Sequence, residues 1–155
     1  MADVKKQKKA EKAFTVLCNS LNEDKWIYTK DEKKLFVEYK VRGDDLVMPC
    51  KYFIDVDREV VRFLSKIPAE FTQEQIMEAA VACCLINNKL LYGAFDLNIQ
   101  TGAVWFRMSN AMRDGIPGKD FFRWMRRKAT DVIDLYNDRF EKLQKGEIKA
   151  VDIID

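Results

Sequence analysis

The sequence predicts an α+β fold in which helices pack against one antiparallel sheet, in the order α-ββββ-α-ββ-α. Three observations carry this. Apolar side chains recur at every second residue through 34–41 and again over 46–56, the period of a half-buried strand. Apolar residues recur every three or four positions near both ends of the chain, the period of an amphipathic helix. The strands follow one another through short polar turns, which suits antiparallel neighbours.

Taking the elements in order, residues 1–6 form a lysine-rich lead expected to be flexible. From Lys8 the set Ala10, Ala13, Phe14, Leu17, Cys18 and Leu21 makes one helical stripe, ended at Asn22. Strands are predicted at 25–29, 34–41, 46–56 and 59–67. The second places Leu35, Val37, Tyr39 and Val41 on one face, the third Met48, Cys50, Tyr52, Ile54 and Val56, and the fourth Val61, Phe63 and Ile67. Pro49 cannot donate to a ladder, so it marks 46–56 as an edge or bulged strand. Thr72 and Gln75 form a capping box for a helix over 76–86, with Phe71 stapling onto Ile76. That helix holds one charge, Glu78, in eleven residues and reads as buried nearly all round, with Asn87-Asn88 as a left-handed end. A hairpin follows, then a last helix between Gly118 and Gly146 carrying the stripe Phe121, Met125, Ala129, Val132, Tyr136, Phe140 and Leu143. Residues 147–155 read as a flexible tail. Residues 1–155 fit one domain with a sizeable core.

Composition excludes several functions. Lys+Arg total 27 against 25 Asp+Glu, so the chain lacks the overall basic footprint of a dedicated nucleic-acid binder. There is no histidine, the commonest metal ligand and acid/base group. Cys18, Cys50, Cys83 and Cys84 show no metal-ligand spacing and read as buried free thiols. No run is long and apolar enough for a membrane span, and the basic start lacks the apolar stretch of a signal peptide, so a cytoplasmic location is expected. No cofactor is implied.

Candidate sites are few. The segment from Asp96 to Gly102 resembles half a calcium loop, but its glycine stands one position late and its twelfth position is Arg107, so it reads as a turn. Gly115 to Lys119 lacks the spacing of a phosphate loop. Asp55 and Asp57 stand two apart, where paired carboxylates divide acid and base roles on one strand face, but a solvated turn pair is the preferred reading. Lys119, Arg123, Trp124, Arg126, Arg127 and Lys128 gather at the start of the last helix. Guanidinium and indole groups together suit RNA or another anionic ligand, which makes this the alternative function.

The hairpin is the most organised stretch. In KLLYGAFDL, alternation puts Leu91, Phe95 and Leu97 on one face and Leu90, Tyr92 and Ala94 on the other. In AVWFRMS, Val104, Phe106 and Met108 oppose Trp105 and Arg107. Both faces are apolar, and only one can pack on the helices. The other needs cover, either from the last helix or from another chain. Aromatics beside an arginine are residues that interfaces favour. Tyr52, Tyr92, Ala94, Trp105 and Arg107 are therefore the expected partner-binding set, with a client strand adding along 46–56.

The segments FLSKIPAEFT, LINNKLLYGAFDL and GAVWFRMS resemble the YbjN family of bacterial proteins, chiefly at Pro68, Asn87 or Asn88, Gly93, Phe95, Gly102, Val104 and Arg107. The resemblance implies the fold of type III secretion chaperones. It also implies a small, non-enzymatic, protein-binding module, often dimeric, of the kind called sensory-transduction regulators. A homodimer, or a complex with a client protein whose apolar surface is shielded, is the expected state.

Overall fold

The computed structural model describes residues 2–154, with side chains from Val4 onward. Helix α1 spans Ala2–Glu23. Strands β1 (Tyr28–Asp31), β2 (Phe36–Arg42), β3 (Val47–Asp55) and β4 (Val60–Glu70) form a meander. A 3-10 turn at Gln73–Gln75 leads into α2 (Ile76–Lys89). The hairpin β5 (Ala94–Leu97) and β6 (Ala103–Ala111) follows, then α3 (Lys119–Gln144) and a last 3-10 turn at Ala150–Asp152. The strands make one antiparallel sheet in the order β1-β2-β3-β4-β6-β5. The hairpin thus docks by its second strand, leaving β1 and β5 at the edges.

One sheet face is buried over the central strands β2, β3, β4 and β6, because alternation on neighbouring strands stays in register. Val37, Tyr52, Phe63 and Met108 lie in one row across four strands, and each is buried. Helix α3 lays Phe122, Met125, Ala129, Ile133, Tyr136 and Phe140 over this face at three- and four-residue steps. The Tyr52 ring meets Phe122 edge-on at 5.9 Å, and Phe95 packs against both Tyr136 and Phe140. The buried stripes of α1 and α2 join the same cluster.

Several expectations are corrected. Residues 2–6 are helical, not a flexible lead, and Lys6 Nζ is held 2.9 Å from the Asp57 carbonyl. Of the expected 147–155 tail, residues 147–154 are docked, since Ala150 and Ile153 are buried, and residue 155 lies outside the described residues. There the Ala150 N–H donates to Glu78 and Arg139 donates to the Ile153 carbonyl. Strand β3 is central, not an edge. Its ladder with β4 begins at Cys50, one residue after Pro49, so the missing N–H falls outside that ladder.

Asn87-Asn88 does not form a left-handed cap, and α2 continues to Lys89 with Leu90 at its end in extended geometry. Asn87 instead turns its side chain onto β5. Its Nδ2 donates to the Phe95 carbonyl at 3.0 Å, and its Oδ1 accepts from the Phe95 N–H at 2.8 Å. Helix α2 is also not buried all round: Ala79, Ala82, Cys83 and Ile86 face in, while Met77 and Val81 are 75% and 43% exposed.

Candidate interaction surface

The opposite sheet face is the surface most unlike a solvated one. Register places Lys51, Leu64, Arg107 and Ala94 in one cross-strand row, with Phe36, Phe53, Arg62 and Ser109 in a row beside it. Trp105 lies between Lys66 and Asp96 on the other flank. Phe36, Phe53, Leu64 and Trp105 are only half-buried, and none packs against the core cluster. The α3 aromatics lie on the other face, so the last helix does not cover this one.

Polar groups frame the apolar centre and are paired within the chain. Arg107 forks onto Asp96, Nε to Oδ2 at 2.6 Å and Nη2 to Oδ1 at 3.2 Å. Lys51 bridges to Glu38 at 3.5 Å and lies 6.0 Å from the Phe36 ring, which itself tilts against Phe53 at 4.9 Å. Lys66 pairs with Glu70. Both signs of charge are interleaved across the face.

The expected partner set divides here. Ala94, Trp105 and Arg107 do share this face. Tyr52 does not: it is fully buried, and its hydroxyl donates to the Phe122 carbonyl at 3.1 Å. Burial also drives its pKa well above the usual phenol value. Tyr92 is exposed but stands on the helix side, edge-on to Trp124 at 4.9 Å. Gly93, with φ of 74°, breaks the strand between Tyr92 and Ala94, so the assumed alternation stops there. Phe36, Phe53 and Leu64 lie outside the expected set, because strand alternation marks the core side and these three stand opposite it among charged residues.

The basic cluster does not form an open face. Lys119 pairs with Glu23, and Arg123 pairs with Glu23, Asp24 and Asp120. Arg126 is buried, bonded to Asp24 at 2.6 Å and stacked 5.1 Å over Trp26. Trp124 packs on Tyr92 and Phe121. These groups dock α3 on the end of α1, which leaves only Arg127 and Lys128 outside the described ion pairs.

Other candidate chemistry also resolves into structure. Strand β3 ends at Asp55, and Asp57 lies in the following turn, so the two carboxylates share no strand face. Asp55 accepts from the Arg58 N–H and from its guanidinium, both at 2.9 Å, and these bonds hold its pKa below the usual range. Asn98 Oδ1 accepts from the N–H groups of Gln100 and Thr101, so an Asx turn at residues 98–101 joins β5 to β6. Cys18, Cys50 and Cys83 are buried, and burial pushes Cys50 and Cys83 up to about 12. Cys84 is exposed, against expectation. Among the described residues, no three metal-ligating side chains converge, and no helix is long and apolar enough to cross a membrane.

The fold and this uncovered sheet face define an α+β protein with helices on one side of a six-stranded antiparallel sheet. The same fold is found in YbjN of E. coli, described as a candidate transcription regulator. The two share 15% sequence identity, with a TM-score of 0.62 over 86% of this chain and 92% of that one. At the level of the fold, the resemblance seen in the sequence holds. No family model matches the sequence, and no curated protein does.

Proposed function

We propose that the protein is a non-enzymatic, protein-binding module whose contact surface is the uncovered face of the sheet, and that its first partner is a second copy of itself. The observation that carries this reading is the group Phe36, Phe53, Leu64 and Trp105, half-buried and packed on no helix. A two-fold contact needs a surface complementary to itself. Glu38 and Asp96 beside Lys51, Arg62 and Arg107 supply both signs within one footprint, so pairs made within each copy can exchange across a two-fold contact. The mechanism is shielding: apolar area leaves water, and no bond chemistry is involved. A regulator or chaperone of a client protein uses the same surface, with the client in the place of the sister chain.

Sedimentation at micromolar concentration is expected to give twice the chain mass, and Trp105→Ala combined with Leu64→Ala to give the chain mass with unchanged circular dichroism. A wild type that stays at the chain mass up to about 100 μM and co-purifies with no stoichiometric protein rules the reading out.

A further inference from the structure

We infer that the cleft between α1 and the loop joining β6 to α3 docks the phosphate backbone of duplex nucleic acid without reading its sequence. The cleft, of about 730 Å³, is lined by Lys5, Lys6, Lys8, Lys9, Lys12 and Arg113. Among the described residues, two carboxylates line it, Glu59 and Asp114. Six cations less two anions leave four positive charges here, in a chain whose total is +2, so the remaining residues sum to −2. A near-neutral protein thus concentrates its positive charge on one concave surface, where fields are strongest.

The cleft is built around one lysine. Lys9 Nζ bonds Glu59 and the Arg113 carbonyl, each at 3.0 Å, tying α1 to the β3–β4 turn and to the loop. Lys5, Lys8 and Lys12 are exposed and, with Arg113, appear in no ion pair among the described residues. Steps of three and four keep these lysines on one helix face, spread over about 10 Å at 1.5 Å per residue. A duplex carries one phosphate charge per about 1.7 Å of its axis, so a stripe of this length faces several phosphates. Among the described residues, no aromatic side chain lines the cleft, which removes the stacking that single strands need. The apolar stripe of α1 is buried in the core, so the helix cannot insert into a lipid surface.

The test is fluorescence anisotropy with a mixed-sequence duplex of about 20 base pairs across a salt series. Four phosphate contacts predict a log–log slope near −3.6, about a hundredfold loss of affinity between 50 and 200 mM salt. Lys5→Gln/Lys8→Gln/Lys12→Gln is expected to fold normally and to reduce the slope to about −1. An Arg127→Gln/Lys128→Gln variant keeps the wild-type slope. Three results overturn the inference: no duplex binding at 50 mM salt, a triple variant that binds like wild type, or equal or tighter binding to a single strand, to phosphatidylserine vesicles or to poly-glutamate.

Discussion

At the scale of single residues, Asn87 does the work of a missing strand. Phe95 sits on the edge strand β5, and an edge residue leaves its N–H and C=O open to another chain. The Asn87 amide meets both, at 2.8 and 3.0 Å, as a neighbouring backbone would. The Asn87→Ala variant is expected to lose about 2 kcal/mol, since both Phe95 groups lose their partner beside a buried ring. Hydrogen exchange at the Phe95 amide should rise with it. A variant with wild-type stability and an equally protected amide would show that water replaces Asn87 at no cost. Neither this role nor that of Tyr92 was legible in the sequence. Asn87-Asn88 fits a helix end by composition, and only the path of β5 brings Phe95 within reach. Gly102 was legible as a turn, but the closeness of Phe71 was not: a Cβ there would overlap the Phe71 carbonyl oxygen.

Among the elements, α3 was the most legible, because its core positions repeat on a 3.6-residue period over 26 residues, although Phe122 and Ile133 are buried where the sequence stripe has Phe121 and Val132, which pack at its border. Its basic first turns were legible as charge but not as contact, since their partners Glu23 and Asp24 lie about a hundred residues away at the end of α1. The consequence is a pH-dependent joint between the two helices. Bonds from Arg123 and Arg126 hold the Asp24 carboxyl below its ordinary value. A depressed carboxylate stabilises the fold above its unfolded pKa, about 3.9, and loses that contribution as pH falls through the folded value. Stability should therefore drop below about pH 4. Asp24→Asn should remove this part of the acid transition while costing roughly 2–3 kcal/mol at pH 7. That is less than for a fully buried pair, because the Asp24 side chain keeps 27% exposure. Denaturant titration of both proteins between pH 2.5 and 7 checks this, and parallel pH profiles would count against it.

For the whole molecule, what alternation revealed and what it hid come from the same fact, that a sheet has two faces. The buried face was legible strand by strand, since every core position repeats at two residues. The uncovered face is centred on Phe36, Phe53, Leu64 and Trp105, which come from β2, β3, β4 and β6, and Trp105 joins the other three only once β6 docks beside β4. If two copies join through this face, unfolding becomes linked to association, and the melting temperature must rise with concentration. Each tenfold increase adds about 1.4 kcal/mol per dimer. Divided by the unfolding entropy of two 155-residue chains, about 2.1 cal/mol/K per residue, that is roughly 2 °C per decade. Leu64→Asp places a charge at the centre of the face without touching the core cluster, so its melting temperature should be independent of concentration and close to that of dilute wild type. A Leu64→Asp protein that keeps the wild-type concentration dependence would place the dimer contact elsewhere, with the exposed Met77 and Val81 of α2 as the next surface to substitute.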